Sequence, residues 1–467
     1  MSRRTALAQA AGAAGLGAIF KMTEDRAVAQ ARGGAAGQAG GAAGGAGAGA
    51  GRGRDGVQYG AINKYSAPSD LRITDLRAIS ITANFNYTII RMDTNQGVYG
   101  LGESTGGVQG IAHAKSMVVG RNPLDITGIL ESLRIAGING MPVSHKATSV
   151  FDMCLHDLVA KIFGVPVWRL LGDKKRDRIR MYCDTTQSRD PKQFAQRMQG
   201  RKAAGFTFFK MDLGTQLIRD KPGAVDSRGV ATAKGLPMLC EYLAAVRDAI
   251  GWDVPLAADH FGPLDVRDCI YYARAFEPYR LAWAEDILQV GTLWGSTGIT
   301  PTTVMALGGD APMNWRAYKQ IQDATTTPLA MGESSFRLEE FKDFVDNRAV
   351  SVVHPDPQNC GGLHELKRIA DYANDTQGIP TATHMVGSPV MAFAAAHCLA
   401  TIGNFLAVEC HAVDFLPLWE QLVTGVSQPI VDNGSIKVPD SPGLGLELNE
   451  PVLKEHLRTP GWFESIA

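Results

Sequence analysis

The sequence lacks an imbalance of charge: 46 Lys and Arg stand against 47 Asp and Glu, a formal net charge of -1 at pH 7. A chain built to neutralise phosphates carries a basic excess gathered on one face, so nucleic acid is excluded as the expected partner. Beyond its N-terminus the chain has no apolar run of bilayer-spanning length, and no membrane association is expected of the mature form. Cysteine is scarce and scattered. The seven residues Cys154, Cys183, Cys240, Cys269, Cys360, Cys398 and Cys410 show no paired spacing. An odd, dispersed set argues against a disulfide framework and against a structural zinc site. What is present, 45% hydrophobic and 20% charged residues over 467 positions, is globular composition with room for one large domain and a smaller one.

The front of the chain is poor in everything but Ala and Gly. Arg3 and Arg4 precede a weakly hydrophobic Ala/Gly/Leu segment, and Ala27, Val28 and Ala29 offer a small-residue cleavage site. Residues 1–30 resemble a twin-arginine export signal, which implies a periplasmic or otherwise exported mature protein, or a cytoplasmic one if the signal is not functional. Gly33 to Gly56 is almost only Gly and Ala with a few Arg. Such a stretch buries no core, so residues 31–58 read as a flexible linker.

From Ile73 to Thr105 apolar and polar residues alternate in two runs joined by the hairpin signal "DTNQG". A helical stretch follows around Ala112 to Leu133, and a second helical pattern ends at Gly172. Strands first and helices after make an α+β unit, residues 59–175. At Arg178 the rhythm changes. Short apolar runs near Ile179, Phe208, Leu256, Leu281, Leu329, Ser351, Pro380 and Phe405 alternate with helical segments such as "LPMLCEYLAAVRDAIG". Eight strand–helix units over residues 176–425 predict a (β/α)₈ barrel, with a Gly/Thr-rich insertion at 290–312 delaying the helix after the fourth strand. The tail, residues 426–467, carries turn chemistry and is expected to return to the first domain.

Three of the predicted strands end in acids: Asp259 closes "VPLAAD", Glu285 lies in "RLAWAED" and Glu333 in "TPLAMGES". In a parallel barrel the C-terminal strand ends converge on one mouth, so acids far apart in sequence meet there. Like charges in one pocket repel unless a cation lies between them, and an oxygen-only donor set suits a hard divalent ion such as Mg²⁺. For any one of these acids alone, a helix cap or a solvated loop position is as good a reading.

Further strand ends carry matching motifs. "KMD" at Lys210 to Asp212 ends the second barrel strand, "PDPQNCGG" places Asp356 at the end of the sixth, "ATHMVGSP" places His384 at the end of the seventh, and "AVECH" places Glu409 at the end of the eighth. In that order, with the three acids, the chain from about Leu71 onward resembles the enolase superfamily and, within it, the mandelate racemase-like acid-sugar dehydratases. The resemblance implies a modified (β/α)₈ TIM-like barrel of the α/β class with an N-terminal α+β capping domain. It further implies Mg²⁺ held by Asp259, Glu285 and Glu333, an Asp356/His384 dyad, Glu409 as an acid or electrophile, and a homo-oligomer. One position departs from the pattern: the second lysine of the family's Lys-x-Lys is Asp212. A racemase needs a base on each face of its substrate, so two-base racemisation is disfavoured, and Lys210 is left to contact a carboxylate oxygen.

The expected reaction is dehydration of a sugar acid, a small-molecule carboxylate, begun by removal of the proton α to the carboxylate. His384 is the base, with a proton affinity suited to physiological pH, and Asp356 orients it. Its imidazolium, or Glu409, protonates the departing β-hydroxyl. Asp212 reads either as a sugar-hydroxyl contact or as a partner of Lys210. His260 is a candidate substrate contact, although strand alternation points it away from its neighbour Asp259 and toward the loop. "GEST" around Glu103 and "NFN" at Asn84 to Asn86 fit a polyol, and fit turn chemistry equally. The rival readings are a cycloisomerase or epimerase of a carboxylated sugar or lactone, and a non-catalytic exported carbohydrate-acid binding protein.

Overall fold

A computed structural model describes residues 70–104, 107–139, 141, 143, 145–288 and 314–466. The twin arginine, the Gly/Ala linker, Thr105 and the 290–312 insertion lie outside the described residues.

The N-terminal unit opens with an antiparallel meander of β1 (Ile73–Thr82), β2 (Asn86–Thr94) and β3 (Tyr99–Ser104). Three strands replace the two expected runs, because the polar "NFN" reverses the chain inside the first run and Ala83 N–H donates to Phe85 O. The expected helix over 112–133 is likewise two, α1 (Gln109–Val118) and α2 (Ile126–Ile138). Between them Gly120 adopts a left-handed φ of 86°, Pro123 follows, and Asp125 caps α2 by accepting from Gly128 N–H. These are the stop and start signals of two separate helices. The next helix, α3 (His145–Phe163), packs directly on β3. A Cβ at Gly100 would stand 2.0 Å from Cys154 O, and one at Gly102 would stand 2.8 Å from Cys154 Sγ. Glycine is what permits this approach, and the apolar side chains of β1, β2, α1, α2 and α3 close a core around it.

The second unit is a closed parallel barrel. Its strands are β4 (Arg178–Cys183), β5 (Phe209–Asp212), β6 (Leu256–Asp259), β7 (Trp283–Glu285), β8 (Leu329–Met331), β9 (Val352–Val353), β10 (Thr381–Thr383) and β11 (Phe405–Cys410). Each pairs in parallel with the next, and Val408↔Met181 and Cys410↔Cys183 shut the ring. The outer helices are α4 (Pro191–Ala203), α5 (Gly235–Ile250), α6 (Val266–Phe276), α7 (Trp315–Asp323), α8 (Arg337–Asp346), α9 (Leu363–Gln377) and α10 (Pro389–Leu399). Inside, the rings of Tyr182, Phe208 and Trp283 pack against alanines 257, 330, 382 and 407 and Val352. Small residues opposite large ones fill the lumen, so the barrel has a solid floor and its chemistry is confined to the C-terminal strand ends.

The tail touches both units. Ser435–Lys437 first pairs antiparallel with β4 of the barrel, and only then does Glu464–Ser465 pair with β1 of the cap. The seven cysteines are free, and six are buried. Among the described residues no helix is long and apolar enough to cross a membrane.

Candidate active site

Asp259 and Glu285 are the last residues of β6 and β7, and Glu333 follows β8 by two positions. One carboxylate oxygen from each lies within 4.8 Å of the others. Asp259 and Glu285 are buried, while Glu333 opens toward solvent. Burial, then the charge of Glu285, holds the Asp259 carboxyl well above its ordinary range. The cluster is therefore short of positive charge.

Lys210, from β5, supplies part of it. Its ammonium is 2.9 Å from Glu285, 2.9 Å from Glu409 and 3.2 Å from Asp259, with the side chain only 2% exposed. Burial works against this cation, but those three carboxylates outweigh it and hold its proton affinity well above the ordinary lysine value. Among the described residues its ion pairs are with these three and none is with Asp212, which goes against the pairing reading of Asp212.

Beneath the cluster lies a support that the sequence reading missed. Trp283 indole N–H donates to Glu285 Oε2 at 3.0 Å, and His354 Nε2 lies 3.4 Å from Glu285 Oε1 and 3.1 Å from the Tyr182 hydroxyl. Burial alone would raise the Glu285 carboxyl, but His354 and Lys210 hold it well below its usual range. Trp283 had a signal, since it precedes Glu285 by two on one strand, the spacing that places side chains on one face, whereas His354 lies past the end of β9, where that spacing gives none.

Across the mouth, His384 Nδ1 is 2.6 Å from Asp356 Oδ2. The other oxygen of Asp356 accepts from Gln358 N–H, and the Gln358 amide donates to Val386 O, which ties the loops after β9 and β10 together. His384 Nε2 faces Glu333 at 3.3 Å and Glu409 at 3.5 Å. Burial disfavours the imidazolium, yet Glu333, Glu409 and Asp356 raise its proton affinity well above the ordinary histidine value. Glu409 is ionised in return: against burial, Lys210, His384 and His411 draw it down to about 2.

His260 corrects an expectation. It follows the last residue of β6, where alternation no longer governs, and its left-handed φ of 59° swings the ring back over the site. Nε2 lies 3.8 Å from both Asp212 Oδ1 and Asp259 Oδ2, with the side chain 60% exposed at the mouth. The Gln187 amide donates to Asp212 from the other side. Two more mouth residues went unread: Asp184, after β4, and His411, after β11, whose Nε2 is 3.6 Å from Asp184 and 3.6 Å from Glu409. Asp184 Oδ1 is buried without a hydrogen-bond partner among the described residues, and burial raises this carboxyl to about 6.

The cap reaches this rim through Glu103 of β3. Its Oε1 accepts from Ser388 N–H at 2.9 Å and its Oε2 meets the Ser388 hydroxyl, at the residue that caps α10 four positions after His384.

These donors fit a divalent cation on their own chemistry. Asp259, Glu285 and Glu333 converge as an all-oxygen set with surplus negative charge, which a hard ion prefers. Asp212, Asp259 and His260 also approach within 4.8 Å, but that set includes an imidazole nitrogen and suits such an ion less well.

Comparison with known proteins agrees with this arrangement. Residues 193–304 and 311–452 match the family described as enolase C-terminal domain-like, and residues 73–172 match the mandelate racemase / muconate lactonizing enzyme N-terminal domain. A D-xylonate dehydratase of Haloferax volcanii is 30% identical over 399 residues, covering 83% of this chain and 89% of that protein. A D-galactonate dehydratase family member of Musicola paradisiaca is 28% identical, covering 83% and 94%. The crystal structure of a mandelate racemase/muconate lactonizing enzyme-like protein from Rubrobacter xylanophilus superposes with a TM-score of 0.71 at 30% identity, over 83% of this chain and 98% of that one. With both of its units matched and the acids, lysine and histidine dyad at the strand ends, this chain belongs to the mandelate racemase/muconate lactonizing enzyme family of the enolase superfamily.

Proposed function

We propose that this protein is a Mg²⁺-dependent hydro-lyase that dehydrates a sugar acid, an aldonate or aldarate, to its 2-keto-3-deoxy acid. The observation that carries the reading is the His384–Asp356 pair at 2.6 Å, facing the carboxylate cluster across one mouth. The relatives named for xylonate and galactonate support the substrate class.

Asp259, Glu285 and Glu333 would hold the cation, which supplies a Lewis acid for the substrate carboxylate and neutralises charge as it builds. His384 Nε2, facing the cluster, is the nitrogen that acts as base when the ring enters the reaction unprotonated. Nε2 takes the proton from the carbon next to the carboxylate, and Asp356 stabilises the resulting imidazolium through Nδ1. The electron pair left by that C–H bond expels the β-hydroxyl, which leaves as water with a proton returned by the same imidazolium. The enol then becomes the α-keto acid. Glu409, held ionised, is a poor proton donor; it pairs with Lys210 and, once His384 has taken the proton, with the imidazolium. Asp212, His260, Asp184 and His411 supply the polar rim that a polyhydroxyl chain requires. Export through the twin arginine belongs to the same reading, and cell fractionation tests it.

The test is incubation with a panel of five- and six-carbon aldonates and aldarates in Mg²⁺, followed by an α-keto acid assay. Turnover that is lost with EDTA and with His384→Asn supports the proposal. No α-keto acid and no α-proton exchange into D₂O across the whole panel overturn it.

A further inference from the structure

Away from the barrel mouth, α2 and α3 of the cap and the loops after β8 and β9 enclose a cavity of about 430 Å³. That is within the size range of small-molecule sites. Its walls are partly apolar, with Leu130, Val159 and Phe336, and its polar lining is unbalanced: Arg134, Arg337 and Arg368 against Glu131 and Glu365.

Two of these cations are already matched. Arg134 holds Glu131, and Arg368 holds Glu365 through both carboxylate oxygens at 2.9 and 2.8 Å. Arg337 is held more loosely, in longer ion pairs with Glu339 and Glu365. Its Nε lies 3.6 Å from Glu339 and 3.9 Å from Glu365, beyond hydrogen-bond reach, and its guanidinium makes no hydrogen bond among the described residues. Its backbone has a left-handed φ of 65°, a conformation that disfavours a residue with a Cβ. The opposite wall adds His156, 4% exposed, whose Nδ1 is fixed by Asp152 while Nε2 has no hydrogen-bond partner among the described residues. Burial disfavours the charged ring, but Asp152 outweighs it and raises this imidazole's proton affinity, and Nε2 is left to meet a ligand in the cavity.

We infer that this cavity is a binding site for a small organic carboxylate, received by Arg337 and His156. A bidentate carboxylate suits a guanidinium whose own ion pairs are too long for hydrogen bonds, and the apolar walls suit a short carbon body. The site goes beyond the proposed dehydration and stands or falls separately from it. Arg337 N–H donates to Cys360 O at 3.0 Å, and these residues follow Glu333 and Asp356 by four positions each. An occupant would therefore rest on the link between the two loops that carry catalytic carboxylates.

The test is calorimetric titration of succinate, pyruvate and inorganic phosphate into the metal-chelated full chain carrying His384→Asn, with and without Arg337→Asn. Asparagine tolerates the left-handed backbone, so the variant removes the guanidinium while sparing the fold. Leu130→Trp, filling the cavity from the other wall, is the independent variant, and a melting curve accompanies each. The inference predicts that succinate or pyruvate binds at one site per chain in the His384→Asn protein and weakens about 10- to 100-fold in both cavity variants. Phosphate as the tighter probe, no binding of any probe at millimolar concentration, or binding unchanged by both variants overturns it.

Discussion

His384 Nδ1 and Asp356 Oδ2, on the ends of neighbouring strands, are 2.6 Å apart. That contact fixes which ring nitrogen is free to face the substrate and favours the charged ring once it has taken a proton. Asp356→Asn keeps the shape but removes the charge. The expected result is a fall in kcat on the order of 10² to 10⁴ with KM little changed, read from steady-state kinetics. A normal kcat in the Asp356→Asn enzyme would contradict the role given to the dyad.

Lys210 is the ammonium on which three buried carboxylates depend. Lys210→Met leaves Asp259, Glu285 and Glu409 facing one another, and breaking a buried ionic arrangement from one side costs about 3–5 kcal/mol. Denaturant unfolding in EDTA reads the deficit, and added Mg²⁺ is expected to recover part of it. Equal midpoints for the variant and the parent would show that the ammonium is dispensable.

The indole of Trp283 and the imidazole of His354 hold Glu285 in place. Residues that orient a metal ligand typically contribute 10- to 100-fold in affinity. Trp283→Phe is accordingly expected to raise the Mg²⁺ concentration for half-maximal activity by about that factor, with saturated kcat nearly intact. An unshifted Mg²⁺ dependence would assign the indole to packing alone.

Glu103 ties pH to the seam between cap and barrel. Burial, opposed by hydrogen bonds from Ser388, raises its carboxyl from 4.5 to about 7. Between those values the native state holds a proton that the unfolded chain has released. Its contribution is therefore fully present below pH 4.5 and lost as pH rises through 7. The loss is at most about 3 kcal/mol. Glu103→Gln keeps the acceptor for Ser388 N–H and is expected to flatten that slope, measured as unfolding free energy from pH 5 to pH 8. A slope identical to the parent's would place the titration elsewhere.

Much of this was legible because chemistry in a parallel barrel follows strand ends. Asp259, Glu285 and Glu333 close apolar runs that Pro or Gly bound, so their convergence follows from counting strands. Two kinds of feature were hidden. His260 sits one step past its strand, where a left-handed backbone cancels the alternation that assigned it to the loop. Glu103 is separated from Ser388 by 285 positions, so nothing local marks it as the cap's contact with the dyad's helix. The break between α1 and α2 was written in Gly120 and Pro123, but helical spacing on either side concealed it.

The central claim is that His384 removes the proton next to a sugar acid's carboxylate and that a water molecule is then lost. Proton NMR and mass analysis of the reaction run in D₂O test both halves at once. The account predicts a keto acid lighter than its precursor by one water and carrying solvent deuterium at the former hydroxyl-bearing carbon, with neither product nor exchange in His384→Asn. A product isomeric with the substrate, or the same product formed at the same rate without His384, would contradict it.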